Sequence, residues 1–195
     1  VKEYGAKGDG VADDYEYIQN AINNNRIVYF PEGVYCISKT IKLRSGEYVF
    51  GVGNKSIIKR LNSLTGNMIE SVNWELDHGT DNHDCVVENI RIDNIALDGS
   101  YGEGCSSGNG ICIYGGGTLM ENVNIYNQPE NGLWTEYNSY QNTIPELGNE
   151  GYFNNVRIKN CGKTGWIFNG PHDSDISNCI VGTNSRISPA VKLLY

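Results

Sequence analysis

The sequence predicts an all-β solenoid, a single-stranded parallel β-helix that begins with a short capping helix. The motif Asn-Val-x-Ile begins at Asn122 and again at Asn155, 33 residues later, and Gly132 and Gly165 repeat at the same spacing. A period of roughly 20–50 residues is typical of stacked repeats. Within each repeat, apolar and polar residues alternate as they do in strands, and not at helical spacing.

The composition suits a chain that turns often and is folded throughout. The 195 residues include 24 glycines, 39% are apolar and 19% are charged, which is enough apolar content for one sizeable domain. The net charge of −8 argues against nucleic acid as a partner, and no apolar run is long enough to span a membrane. We predict no cofactor and no metal site, while the sequence leaves a structural or catalytic calcium ion open.

Residues 1–26 are predicted to form a first strand and the capping helix. Asp13 is the predicted N-cap of a capping box that the glutamate three residues later completes. Ile18, Ala21 and Ile22 then fall on one helical face, which needs an apolar surface to cover. The open end of the first coil is such a surface, because it exposes core residues and strand edges.

Residues 27–195 are predicted to form the β-helix, which we expect to continue beyond Tyr195 because 188–195 has the pattern of a further strand. The early strands are predicted by short apolar runs between turn residues. They are 26–30, 34–38, 41–43, 48–50, 56–60 and 67–72. Polar residues 73–84 and the segments 98–109 and 137–151 are predicted to be longer excursions from the coils.

Three strands that follow Gly110, Gly132 and Gly165 can be aligned with one another. Alternation predicts an inward-facing set and an outward-facing set of side chains. The inward set is Ile111, Leu133 and Trp166 with Ile113, Thr135 and Phe168. The outward set is Cys112, Trp134 and Ile167 with Tyr114, Glu136 and Asn169.

Recurrent asparagines and the cysteines are interpreted as structural. Asn89, Asn122, Asn155 and Asn178 are predicted to occupy the same coil position and to form a stacked amide ladder. The six cysteines include no C-x-x-C pair, which favours free thiols. Cys105 and Cys112 flank one loop and are the pair to test for a disulfide.

The opening segment 4–14, YGAKGDGVADD, and the later segment 28–35, VYFPEGVY, carry a resemblance to a known family. Together they resemble the N-terminal signature of the pectate-lyase superfamily of right-handed parallel β-helices, above all bacteriophage tailspikes and polysaccharide depolymerases. The resemblance implies a right-handed coil, structural roles for Asp9, Asp13 and Asp14, and carbohydrate bound along the flank of the solenoid. It also implies a homotrimer.

The resemblance does not extend to a known catalytic motif. The W-x-D-H and R-x-P-x-x-R motifs of calcium-dependent pectate lyases are absent. Of the polygalacturonase catalytic motifs, the sequence contains only a partial match at 130–132 and an Arg-Ile-Lys at 157–159. The latter lies on an ordinary repeat.

Candidate site residues are therefore chosen by their chemistry and predicted position. Trp134 and Glu136 share the outward face of one strand, where an aromatic ring can stack on a sugar beside a carboxylate. Alternatively, the insertion folds back and buries Trp134. Substrate binding is predicted for Trp134, Tyr114, Tyr137, Tyr140 and Glu103. Hydrolysis needs two carboxyl groups, which are sought among Glu136, Glu130, Glu150 and Asp173. A lyase would use Lys163 and His172.

The leading hypothesis is a phage tailspike-like or bacterial depolymerase module that binds and cleaves a surface or extracellular polysaccharide. It would be located in the virion tail or outside the cell. One alternative is a secreted polygalacturonase-like enzyme or a uronan epimerase or lyase. Another is a non-catalytic module that only binds glycan or supports other domains.

Overall fold

The computed structural model describes residues 1–75, 87–136, 151–170 and 173–194. Its strands form three parallel sheets, and from β2 onward each coil visits sheet 1, then sheet 2, then sheet 3. In every sheet the spatial order of the strands is their order in the chain. This arrangement is the predicted right-handed parallel β-helix.

Sheet 1 contains β2 (Ile27–Tyr29), β5 (Tyr48–Phe50), β9 (Arg91–Asp93), β12 (Thr118–Glu121), β15 (Gly151–Asn154) and β18 (Ser174–Ser177). Sheet 2 contains β1 (Asp9–Asp13), β3 (Gly33–Ile37), β6 (Ser56–Arg60), β10 (Ala96–Asp98), β13 (Asn124–Tyr126), β16 (Arg157–Lys159) and β19 (Ile180–Val181). Sheet 3 contains β4 (Ile41–Leu43), β7 (Ile69–Ser71), β11 (Ile111–Gly116), β14 (Leu133–Glu136), β17 (Trp166–Asn169) and β20 (Val191–Leu193). A short strand, β8 (Val87–Glu88), pairs with the end of β11.

Helix α1 (Tyr15–Asn24) caps the first coil, as predicted. It buries Ile18, Ala21 and Ile22 in the same core cluster as β2 and β4. The capping box is wrong in detail, because Asp14 is the N-cap and Glu16 pairs with Lys39 instead.

The aspartates of the opening segment have structural roles, as the resemblance implied. Asp14 is fully buried, and its carboxylate accepts backbone N–H bonds from Lys7 at 2.6 Å and Gly8 at 2.9 Å. Asp9 accepts two further backbone N–H bonds, which lower the pKa of its carboxyl group. These bonds hold the entry to the helix in place.

The interior of the solenoid consists of in-register rows of apolar side chains. Ile111, Leu133 and Trp166 pair across sheet 3 and are buried, as predicted. Thr135 is a polar member of the interior, and its hydroxyl oxygen accepts the indole N–H of Trp166 at 3.1 Å. The buried N–H of Trp166 is therefore satisfied within the core.

The corner from sheet 1 to sheet 2 is a tight turn through an asparagine with positive φ. Asn94, Asn122, Asn155 and Asn178 have φ of 49°, 54°, 53° and 55°. Asparagine tolerates this left-handed conformation better than other residues with a side chain. The amide nitrogen of Asn155 also donates to Asn122 Oδ1 at 2.8 Å, which joins two neighbouring coils.

The predicted ladder is wrong for Asn89, whose place is taken by Asn94. Asn94 N–H donates to the carbonyl of Glu121 just as Asn122 N–H donates to the carbonyl of Asn154. Asn89 precedes β9 and lies at the corner from sheet 3 to sheet 1. The error arises because all three sheets share the same alternation, so a matching spacing does not identify the sheet.

A second amide ladder, which the sequence analysis missed, leads into sheet 3. Asn109 Nδ2 donates to Asn67 Oδ1 at 2.8 Å, and Asn131 Nδ2 donates to Asn109 Oδ1 at 2.8 Å. Thr164 N–H continues the series by donating to Asn131 Oδ1 at 3.0 Å. The corner from sheet 2 to sheet 3 is thus tied together across four coils.

Arg60 clamps the same corner from inside. It is 1% exposed, and its guanidinium donates to four backbone carbonyls. These belong to Leu64, Gly66, Ser107 and Asn109. The side chain therefore joins the loop after β6 to the loop before β11.

The cysteines that the structure describes are free thiols, including Cys105 and Cys112, so the tested pair forms no disulfide. Cys85 lies outside the described residues. Burial raises the pKa of Cys161 to about 12 and that of Cys112 well above its usual value. Both thiols stay protonated at neutral pH and behave as small apolar side chains.

We expect Asn122→Ala to lower the free energy of unfolding by about 2–3 kcal/mol. Alanine is strained at positive φ, and the bond from Asn155 is lost. Asn122→Gly is the matched control, since it loses only the bond and should cost about 1 kcal/mol. Urea denaturation followed by circular dichroism measures both. A glycine variant no more stable than the alanine variant contradicts the role of the turn conformation.

We expect Arg60→Met to cost about 3 kcal/mol, because four backbone carbonyls, two of them fully buried, lose their donor. Lys59→Met is the control on the adjacent residue, whose partly exposed ion pair with Glu103 should be worth less than about 1 kcal/mol. Thermal denaturation compares the two. Equal shifts in melting temperature would show that the clamp contributes nothing beyond an ordinary surface charge.

Candidate functional site

The outward face of sheet 3 presents two rows of side chains in the predicted register. Cys112, Trp134 and Ile167 form one row. Tyr114, Glu136 and Asn169 form the other, nearer the end of each strand. Neighbouring members of a row are about 4.8 Å apart, so a ligand lying across the strands would contact several of them.

Trp134 is half-buried on this face, and its aromatic partner follows β7, which lies two strands away in sheet 3. The ring of Trp74, which follows β7, meets the ring of Trp134 edge-on at a centroid distance of 5.3 Å. The indole Nε1 of Trp134 is buried and has no hydrogen-bond acceptor in the described part of the chain. Sequence reasoning missed Trp74, because nothing in a polar excursion indicates which residue returns to the sheet.

Glu136 is held at the end of β14 by the next coil. Asn169 Nδ2 donates to Glu136 Oε1 at 3.0 Å, which orients the half-buried carboxylate. Tyr114, in the same row, is only 8% exposed and is less open than the predicted binding row requires. Cys112 is fully buried between Glu70 and Trp134. The open part of this face is therefore smaller than the sequence predicted.

Three other candidates lie at the opposite corner, where sheet 2 leads into sheet 3. Glu130 Oε1 pairs with Lys163 Nζ at 2.5 Å, and Glu103 Oε2 pairs with Lys59 Nζ at 3.0 Å. Glu130 precedes β14, whereas Glu136 ends it, so the whole strand separates these two carboxylates. The hydrolytic pair of Glu130 with Glu136 is thus not assembled.

Asp173 lies on the same side as Glu136, at the corner from sheet 3 to sheet 1. It borders an open groove of about 330 Å³ that also contains Asp175 and Tyr152. Tyr152 was not among the predicted binding residues. The alternation around it, with Gly151 and Phe153 buried and Tyr152 exposed, is the signal that could have identified it.

Several predicted site residues lie outside the described parts of the chain. These are Glu150, His172, Tyr137 and Tyr140. Among the residues that the structure describes, no three acidic, histidine or cysteine side chains gather closely enough to hold a metal ion. No helix in the described ranges is both long and apolar enough to cross a lipid bilayer.

The chain is similar to phage appendage proteins. It is 35% identical over 128 residues to the preneck appendage protein of Bacillus phage PZA, a match that covers 64% of this chain and 14% of that protein. Among solved structures, it superposes on the pre-mature gene product 12 of bacteriophage phi29 with a TM-score of 0.72 and 22% identity. That match covers 94% of this chain and 25% of the phage chain.

A bacterial enzyme module has the same fold. The A-module of mannuronan C-5 epimerase AlgE6 from Azotobacter vinelandii superposes with a TM-score of 0.66 and 19% identity, over 93% of this chain and 47% of that chain. The chain thus spans a quarter or less of the phage proteins and about half of the epimerase module. The phage relatives support a location in the virion tail.

One family model, described as rhamnogalacturonase A/epimerase, pectate lyase-like, matches residues 1–191. This match spans nearly the whole chain, from the capping helix to the last strand. The three parallel sheets of the β-helix agree with it. The chain therefore belongs to the rhamnogalacturonase A/epimerase, pectate lyase-like family.

Proposed function

We propose that this chain is a phage-tail module that binds a bacterial surface polysaccharide on the outward face of sheet 3 and cleaves it with Glu136. The observation that carries the proposal is the placement of Trp134 and Glu136 together on the outward face of β14, where both are half-buried. An aromatic ring and an oriented carboxylate two residues apart are what stacking and acid–base chemistry on a sugar require. The phage and polysaccharide-acting relatives support the substrate class.

Trp134 is proposed as the stacking platform. Its indole N–H is buried without an acceptor in the described part of the chain, and such a donor is costly unless a partner reaches it. A sugar hydroxyl that enters between Trp134 and Trp74 would supply that acceptor.

Glu136 is proposed as the reacting carboxylate, with Asp173 as its partner across the corner. Both residues lie on the side of the solenoid where sheet 3 turns into sheet 1. Two carboxyl groups about 5 Å apart favour retention, and groups about 6.5–9.5 Å apart favour inversion. Lys163 is a weaker candidate for lyase chemistry, since Glu130 already pairs with it at the far corner.

The family resemblance also leads us to propose a homotrimer.

A module that binds glycan without cleaving it is the second candidate function, and one observation favours it. The carboxylates Glu130 and Glu136, which the sequence suggested as a hydrolytic pair, lie at opposite ends of β14.

We expect Glu136→Gln to reduce the rate of polysaccharide cleavage by about 100-fold or more, the usual contribution of an acid–base group, with binding retained. Cleavage is followed by new reducing ends, together with the ultraviolet absorbance of the unsaturated end that a lyase leaves. Glu16→Gln on α1 is the matched control, since its carboxylate is exposed and pairs with Lys39 next to β4, three strands away from β14 in sheet 3. Full cleavage by the Glu136 variant would assign the chemistry to other residues. If neither the parent chain nor its variants cleave the polysaccharide but all still bind it, the second candidate, a module that only binds glycan, is favoured.

We expect Trp134→Ala to weaken polysaccharide binding about tenfold, which corresponds to roughly 1.4 kcal/mol. The loss reflects the stacking surface, which the alanine side chain cannot replace. Isothermal titration calorimetry measures the affinity, and Tyr17→Ala provides the control, because Tyr17 is an exposed aromatic residue on α1. Unchanged affinity in the Trp134 variant would place the binding surface away from sheet 3.

A further inference from the structure

We propose that the outward face of sheet 2 holds a second glycan-binding site, which takes a sugar unit bearing a carboxylate or a phosphate. Four side chains on two neighbouring strands form it, and we call them the basic surface. They are Asn124 and Tyr126 of β13, and Arg157 and Lys159 of β16. The basic surface is separate from the proposed cleavage site, because that site lies on sheet 3.

The four side chains of the basic surface form a compact grid. The middle residue of each strand is buried in the core, so the residues on either side of it point outward. Asn124 pairs with Arg157 across the two strands, and Tyr126 pairs with Lys159. The grid therefore measures about 4.8 Å between strands and about 7 Å along them, which is the scale of one sugar unit.

Arg157 is exposed, and the neighbouring asparagine turn orients it. Its Nε donates to Asn155 Oδ1 at 3.1 Å, and Asn155 is itself bonded to Asn122 of the preceding coil. The terminal nitrogens of the guanidinium donate to no residue in the described part of the chain. A guanidinium held at Nε and free at its terminal nitrogens can bind a carboxylate or a phosphate.

Lys159 is the second cation, and it forms no ion pair with any residue that the structure describes. The carboxylate in its row across sheet 2 is that of Asp98, which lies two strands away, beyond Tyr126. Asp98 is directly in register with Lys59 on its other side. The positive charge of Lys159 is therefore available to a ligand.

The turns that flank the basic surface do not neutralise it. The turns at both ends of β13 and β16 belong to the described residues. Their carboxylates are Glu121 and Glu130, and each has another partner. Glu121 accepts a hydrogen bond from Asn154 at 3.2 Å, and Glu130 pairs with Lys163 at 2.5 Å.

The charge around this surface also contrasts with that of the rest of the chain. Residues 151–195 contain five lysines and arginines and two aspartates, a net charge of +3. Residues 1–150 contain 10 lysines and arginines and 21 acidic residues, a net charge of −11. An anionic polymer is therefore repelled by most of the molecule and attracted to this part of it.

Asn124 and Tyr126 favour a sugar over a simple anion. Both residues are half-buried, and the side-chain amide of Asn124 forms no hydrogen bond within the described residues. That amide offers a donor and an acceptor to sugar hydroxyl groups, and the ring of Tyr126 adds apolar surface. An anionic group surrounded by hydroxyl groups is what a uronate or a phosphorylated sugar presents.

A site on sheet 2 would assist the proposed site on sheet 3. A long polymer bound at the basic surface stays attached when another of its segments leaves sheet 3. The effective concentration of the polymer at sheet 3 is raised by this attachment, without any new contact there.

The test is calorimetric titration with four probes of matched length. They are oligosaccharides of galacturonate, of phosphorylated mannan and of N-acetylglucosamine, and single-stranded DNA. Titrations of the parent chain are repeated with Trp134→Ala, so that the proposed site on sheet 3 does not mask the result. We expect the anionic glycans to bind at least tenfold more tightly than the neutral one at low salt. This advantage should disappear in about 1 M NaCl, where charges are screened beyond about 3 Å.

The double variant Arg157→Gln, Lys159→Gln should bind the anionic glycans about tenfold more weakly, with the neutral glycan unaffected. Lys7→Gln, Lys55→Gln is the matched control, since it removes two exposed positive charges just before β1 and β6, at least three strands from β16. Arg157→Lys keeps the charge and loses the planar guanidinium, so it should lose only about two- to threefold. Thermal denaturation of each variant verifies that it is folded.

The outcomes separate the basic surface from the proposed function. Anionic binding that survives Trp134→Ala and is lost with Arg157 and Lys159 supports the second site, whether or not cleavage is found. Equal binding by the parent chain and the double variant, or no binding of either anionic glycan, overturns the second site. The proposed function is then judged on its own variants, Trp134→Ala and Glu136→Gln.

Two further results concern the class of ligand. Equally tight binding of N-acetylglucosamine would overturn the preference for an anion, and equally tight binding of DNA would overturn the assignment to carbohydrate. Binding of only one of the two anionic glycans supports the site and identifies its anion as a carboxylate or a phosphate.

Discussion

Register between stacked coils is the constraint on which the rest of this structure depends. Each strand pairs in parallel with the strands one coil away, so every side chain lies in a row with its equivalents above and below. A substitution at one position therefore alters the packing of the equivalent residues in the two adjacent coils. The asparagine turns maintain this register, because each one fixes where a strand ends. The amides of Asn155 and Asn178 also donate to residues of the preceding coil.

Because register is set at the corners, the coils can differ in length without losing their alignment. Asn94 and Asn122 are 28 residues apart, Asn122 and Asn155 are 33 apart, and Asn155 and Asn178 are 23 apart. All three nevertheless give a strand in each sheet. The added residues of the longest coil fall between sheets 3 and 1, which is where Glu136, Asp173 and the groove lie. The coils thus form a rigid scaffold, and the differences in length and in polar side chains are concentrated at this corner.

Much of the fold could be predicted from local pattern. The strands at 41–43, 48–50 and 56–60 have the predicted bounds, since each is a short apolar alternation between turn residues. The inward row of Ile111, Leu133 and Trp166 follows from the same alternation. Asn89 was misplaced because alternation is identical in all three sheets, and only long-range pairing tells them apart.

The candidate site was less predictable, because it depends on contacts between coils. Alternation correctly placed Trp134 and Glu136 on the outward face, but it could not show that Trp74 returns to cover part of that face. Nor could it show that Tyr114 is nearly buried. Glu130 and Glu136 are close in sequence, yet a strand holds them apart, since an extended chain separates residues faster than a turn does.

The clamp formed by Arg60 has a consequence for behaviour in acid. Its charge is balanced by backbone carbonyl dipoles and not by a carboxylate. Carbonyls do not take up protons as the solution becomes acidic, so the buried link between the two loops persists. The two loops of this corner therefore stay joined through Arg60 at low pH.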